Sequence, residues 1–321
     1  MMLRNLITTL ALSAAPLAAA ADAGAAFELA ESHRLGTAAD ASASEALRLY
    51  GVAAEAGNAM AMLRQGEILL AGAAGVGKDT HRGEFLIQAA AEAGEPAAWR
   101  KLGEISEAAG NAADATPDRE RHFAEARRLH LRAAEAGDLE GQLAIALLLE
   151  SGKGGAKDGA AALRWLREAA RGGLAAAMDE IGQRYQKGRG VEQDTMAALG
   201  WFLGAAERGS ASAMTRLGLC YAEGTGVPQN FDNAGSWYAK ACRQNYPPAR
   251  FLIAGLFEHG HGTEEKPVLA FVNYSLAADG GFQPAVEARD ALKAKLTADQ
   301  LAEAEKSYRE IISQSSAKPS P

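Results

Sequence analysis

Residues 72–79 read GAAGVGKD and fit seven of the eight positions of a phosphate-binding loop, G-x-x-x-x-G-K-S/T. In such a loop backbone N–H groups cradle phosphates, the lysine reaches the terminal phosphates and the hydroxyl holds magnesium. Here Asp79 stands where the hydroxyl belongs. A second cluster is EHGHGTEE, where His259 and His261 lie beside Glu258, Glu264 and Glu265. Imidazoles with carboxylates can hold zinc, but the spacing fixes no third ligand. Cys220 and Cys242 are the only cysteines, and no histidine is spaced to activate either as a nucleophile. Trp165, Trp201 and Trp237 recur every 36 residues, as an aromatic binding ladder or a packing row would. His122 and His130 read as surface helix residues. None of these sets predicts a catalytic residue, a metal ligand or a cofactor.

The elements that must carry these residues are helices. Of 321 residues 48% are hydrophobic, enough for a sizeable core, and only 6% are aromatic. Alanine, the best helix former, is abundant, and runs of alternating β-branched residues are absent. The formal charge of -7, with no Lys/Arg-rich stripe, argues against nucleic-acid binding.

The N-terminus reads as an address. Residues 1–21 combine Arg4, an apolar stretch from Leu6 to Leu17 and small residues Ala18 to Ala21. This is the order of a secretory signal peptide cut near Ala21, and the stretch is short for a membrane span. No other hydrophobic span follows, so the expected location is periplasmic or secreted, with no stable membrane span after cleavage.

A repeat organises the rest. Gly57, Gly94, Gly137, Gly173, Gly209, Asn245 and Gly281 each close an alanine-rich segment, at spacings of 37, 43, 36, 36, 36 and 36 residues. Two neighbouring units, Ala177 to Gly209 and Ala213 to Asn245, show the pattern best. A helical apolar stripe (Met178, Ile181, Tyr185; Met214, Leu217, Tyr221) precedes a turn, Gly188-x-Gly190-Val191 or Gly224-x-Gly226-Val227. A second helical segment carries Trp201-Phe202 or Trp237-Tyr238. One helix-turn-helix unit cannot bury its apolar face alone, so neighbours must stack. The units open on small residues (Ala25, Ala61, Ala98, Gly141, Ala177, Ala213, Ala249), as close helix contacts demand. Inside the first helix Gly66, Gly103, Gly182 and Gly218 alternate with Ala30, Ala146 and Ala254. A mid-helix glycine costs about 1 kcal/mol against alanine, so it marks a close helix crossing.

This frame also explains the loop-like string. Asp79, Asp158, Asp194 and Asn230 each lie 15 residues before the closing glycine or asparagine of their unit. That position starts the second helix, where a short carboxylate or amide caps free backbone N–H groups. A phosphate loop would need a preceding strand, whereas residues 61–70 read as helix. Nucleotide binding is therefore not expected.

The units resemble the Sel-one-like repeat family, relatives of the tetratricopeptide repeats. The pattern A-x-x-x-L-G-x-x-Y-x-x-G-x-G-V-x-x-D, then A-x-x-W-Y-x-K-A-A-x-x-G, is matched well by the two units quoted and less well at the N-terminal end and in the third unit. The resemblance implies an all-α fold, a right-handed α-solenoid of about seven helix-turn-helix repeats of 36–43 residues, with C-terminal capping helices. In cysteine-rich relatives, a cysteine at the position of Cys242 pairs with the start of the first helix of its unit. That place is Met214 here. Cys220 lies six residues on, about 9 Å by helical rise, so free thiols are expected over a Cys220–Cys242 bridge.

The expected organisation is a signal peptide (1–21), a repeat solenoid (25–284), capping helices (285–312) and a disordered tail (313–321). Thr297 with Gln300 forms a capping box for the last helix. The long third unit places its excess at Ala108–His122, as an extended turn touching a partner or as a tolerated mobile insertion. The expected function is a non-enzymatic, exported scaffold for protein–protein interaction in the bacterial envelope, as adaptor or regulator. Helical phase places Arg64, Glu67, Arg100, Glu104, Asp179, Gln183, Thr215 and Leu219 on an exposed inner face of first helices. By resemblance, a protein partner of the cell envelope would belong to envelope assembly, exopolysaccharide export or a sensor pathway. The alternative, prompted by exported relatives linked to penicillin binding, is a cell-wall or β-lactam-acting binding protein or hydrolase. The chain lacks an S-x-x-K motif for that chemistry.

Overall fold

The structure is a computed structural model describing residues 15–73 and 75–316, with side chains from 22 to 73 and from 75 to 314. Residues 1–14 of the expected leader lie outside this description, and so do the side chains of residues 15–21. Described residues form sixteen α-helices, in two compact units. The first unit, ending at Lys157, holds α1 (Ala15–Arg34), α2 (Ala43–Glu55), α3 (Ala59–Ala71), α4 (Thr80–Glu92), α5 (Pro96–Ala112), α6 (Thr116–Glu135) and α7 (Leu139–Ser151). The second holds α8 (Gly159–Arg171), α9 (Ala175–Lys187), α10 (Thr195–Glu207), α11 (Ala211–Glu223), α12 (Phe231–Cys242), α13 (Pro247–Glu258), α14 (Pro267–Asp279), α15 (Gln283–Lys293) and α16 (Ala298–Ser316). Within each unit successive helices pack on one another, the helical-repeat solenoid the period predicts, except that α16 packs back on α14.

The second helices begin where the caps were expected. Asp79, Asp158, Asp194 and Asn230 accept from the backbone N–H of Arg82, Ala161, Ala197 and Asn233 at 2.8–3.0 Å. The string 72–79 is therefore a turn and a cap that follow helix α3. Asn58, Asp138 and Ser210 cap first helices in the same way, which the sequence reading missed. Thr297 and Gln300 exchange side-chain-to-backbone bonds of 3.0 and 3.2 Å at the start of α16.

The mid-helix glycines sit at the crossings. A Cβ on Gly182 would stand 2.5 Å from the Phe202 ring, and one on Gly218 2.4 Å from the Tyr238 ring. Gly66 faces Ile87, and Gly103 faces His130, in the same register. The core-bearing row of second helices is thus Tyr50, Ile87, His130, Leu166, Phe202, Tyr238 and Tyr274, all buried. Trp165, Trp201 and Trp237, one residue earlier, are only half-buried. They flank the core rather than fill it.

Four expectations need correction. His130 is fully buried, not a surface residue, and its Nε2 lies 2.7 Å from Glu107 Oε1. The third unit's excess does not form a long turn. It lengthens α5 to 17 residues and α6 to 20, leaving a turn at 113–115. The inserted alanines, Glu120 and the two arginines are helix formers, and Pro117 sits in the first turn of α6, where its missing N–H costs nothing. Ala25 is exposed, unlike its equivalents in the later repeats. Helix α16 runs to Ser316, four residues into the expected tail, since nothing breaks it before Pro319. Residues 317–321 lie outside the description.

Cys220 and Cys242 are free thiols. Burial pushes both thiols above the usual range, with Glu223 adding to the rise at Cys220. His261 stacks on Phe231 at 4.6 Å in the turn of the seventh unit.

Candidate functional site

Numbered from its opening small residue, each first helix turns positions 3, 4 and 7 toward neighbouring first helices or solvent. In α3 this row is Leu63, Arg64 and Glu67, and in α5 it is Arg100, Lys101 and Glu104. In α9 it is Asp179, Glu180 and Gln183, and in α11 Thr215, Arg216 and Leu219. In α13 the row becomes Phe251, Leu252 and Gly255. In α7 it is Leu143, Ala144 and Leu147, so the apolar rows belong to the fourth and seventh repeats, with Leu219 alone in the sixth.

The charged members are tied to one another. Arg64 donates to Glu67 at 2.8 Å and lies 3.6 Å from Glu31 of α1. Arg100 donates to Glu104 at 2.6 Å and to Asp138, ahead of α7, at 3.0 Å, with Glu140 at 3.2 Å. Burial raises the Glu104 carboxyl, but hydrogen bonds and charge from Lys101 and Arg100 outweigh it and hold it below the usual range. A lowered folded value means its stabilisation is complete above the ordinary carboxylate range and is lost as pH falls through that lowered value. Unfolding temperature should therefore fall on acidification below pH 4, and less steeply in Glu104→Gln. Parallel melts at pH 3 and 7 check this.

Two of the eight expected surface residues are buried. Asp179 is 7% exposed and Thr215 5%. Asp179 Oδ2 accepts from Ser212 at 2.9 Å and from Gln183 at 3.4 Å, and Oδ1 lies 3.1 Å from Arg216 Nε. Thr215 turns its hydroxyl back to the Ala211 carbonyl at 2.7 Å. Helical phase alone did not reveal that the adjacent first helix covers Asp179 or that Thr215 is buried at the base of a groove.

Thr215 and Leu219 meet a feature the sequence reading missed, a groove of about 280 Å³ between α11, α13 and the start of α15. Its walls are Leu219, Leu252, Phe251 and the residues preceding α13 and α15, Tyr246 and Phe282. Phe251 and Phe282 rings stand 5.3 Å apart. Ser212 and Arg216 supply the polar edge. Arg216 also lies over the Phe202 ring, 5.8 Å from its centroid. The legible signal was the Phe251-Leu252 pair, apolar at two positions where the third and fifth repeats carry charge. Among the described residues no three histidine, cysteine or carboxylate groups gather as a metal site.

The Sel1 repeat family model matches residues 23–58, 59–95, 113–138, 139–174, 175–210, 211–246 and 247–282. The chain belongs to the Sel1 repeat family. The match to the third Sel1 repeat covers only 113–138, where α5 and α6 depart from the standard length. No curated protein matches the chain significantly. Among solved structures, one similar chain is a protective antigen of uropathogenic Escherichia coli strains displaying an SLR fold. It is 25% identical with a TM-score of 0.71, over 93% of this chain and 64% of that one. This chain thus spans under two thirds of the antigen's length. A second is a Sel1 repeat protein from Oxalobacter formigenes, 26% identical, TM-score 0.65, over 84% of this chain and 76% of that one. Sel1 repeat arrays are, as a class, scaffolds for protein–protein interaction and typically not enzymes.

Proposed function

We propose that this Sel1 repeat chain is an exported, non-enzymatic scaffold that holds a protein partner in the bacterial envelope, as adaptor or regulator, through the exposed face of its first helices. One observation carries the reading. In a family of interaction scaffolds, the first helices of the sixth and seventh repeats expose an apolar groove walled by Leu219, Phe251 and Phe282. Half-buried aromatic side chains that converge without a covering helix are what an interface anchor fills. The leader-like residues 1–21 support the envelope location, and no helix among the described residues is long and apolar enough to cross a membrane.

Export is tested by fusing residues 1–24 to alkaline phosphatase, which folds actively only outside the reducing cytoplasm. Phosphatase activity in the periplasm is the expected result. An inactive fusion would remove the envelope from the proposal and leave the scaffold to be tested by partner contacts.

A further inference from the structure

We infer that the groove between α11, α13 and α15 receives a protein segment that places an aromatic or large aliphatic side chain next to a carboxylate. The inference rests on the scaffold reading and specifies its partner. The walls are apolar and aromatic, and a groove of about 280 Å³ has room for one large side chain. Arg216 is the only charged residue lining the groove. Its Nε faces Asp179 at 3.1 Å, and no hydrogen bond among the described residues engages its two Nη groups. The Arg216 side chain is only 28% exposed and its guanidinium rests over Phe202, at the groove edge. A planar fork with unused donors beside an apolar slot is complementary to a carboxylate carried near an apolar side chain. A basic segment would meet repulsion there. The net charge of -7 disfavours acidic segments over the surface as a whole, so their attraction is confined to this edge.

The test is to pan a random peptide phage library on the purified full chain and measure binding of synthesised winners by fluorescence anisotropy. Winners should carry Asp or Glu within about two residues of Phe, Tyr, Trp or Leu. Binding should fall at least tenfold in Leu219→Glu and in Phe251→Ala. Arg216→Gln should weaken the acidic peptide about tenfold but leave its Asn or Gln analogue unchanged, the coupling expected of a direct pair. Helical circular dichroism and melting temperature of each variant establish folding. Where Phe251→Ala unfolds, Leu219→Glu at the half-buried rim carries the test. Basic or purely polar winners, or acidic winners whose binding ignores both Leu219→Glu and Arg216→Gln, overturn the inference. An empty selection also overturns it. The scaffold reading survives any of these if a protein partner crosslinks elsewhere on the first helices, and falls with them if none does.

Discussion

Gly218→Ala should destabilise the protein by about 1–3 kcal/mol, even though alanine is the better helix former by about 1 kcal/mol. The reason is the crossing of α11 and α12. An added methyl would sit 2.4 Å from a carbon of the Tyr238 ring, and Tyr238 is 1% exposed with no room to retreat. Gly182→Ala should behave alike, because Phe202 blocks it at 2.5 Å and is fully buried. The contrasting substitution is Gly200→Ala on the exposed face of α10, where nothing lies within 4 Å of the new methyl. It should stabilise by up to about 1 kcal/mol. Urea unfolding followed by helical circular dichroism measures all three. Equal signs at Gly200 and Gly218 would contradict the crossing geometry.

Asp179→Ala should cost about 2–3 kcal/mol, the scale of lost hydrogen bonds to a buried charge. Asp179 joins α9 to α11 through Ser212 and Arg216, and its removal strips Arg216 of that ion pair. Asp179→Asn keeps an oxygen for Ser212 and should cost less. Unfolding midpoints give the stability change, and amide exchange should rise first in α9 and α11. The same substitution removes the carboxylate that offsets the Arg216 charge, so acidic peptides should bind Asp179→Ala at least as well as the parent chain. A variant as stable as the parent would mean that this charge does not tie the two repeats together.

The repeat frame was open to reading because stacking demands it. Glycine or alanine is required where the two helices of a repeat cross, and a capping side chain starts four of the second helices. Gly182, Gly218, Asp158 and Asp194 are where both rules predicted them. His130 could have been placed in the same way. It lies seven residues before Gly137, as Phe202 lies seven before Gly209, and Phe202 is core. The third repeat misled because its extra residues favour helix yet fall where other repeats turn. Asp179 and Thr215 misled for another reason: periodicity within one helix gives its apolar face, not what the next repeat lays over its polar one. The groove was least legible. Tyr246 and Phe282 precede helices in different repeats, and only the fold brings them beside Phe251 and Leu219.

The most direct test of the interaction face is photocrosslinking in living cells of the source bacterium. A benzophenone amino acid is placed at Leu219, at Glu67 and, as a control, at Met196, which is 67% exposed near the start of the second helix α10. The scaffold account predicts a discrete protein adduct from Leu219 or Glu67 and none from Met196. Adducts from Met196 alone, or none from any position, would contradict it.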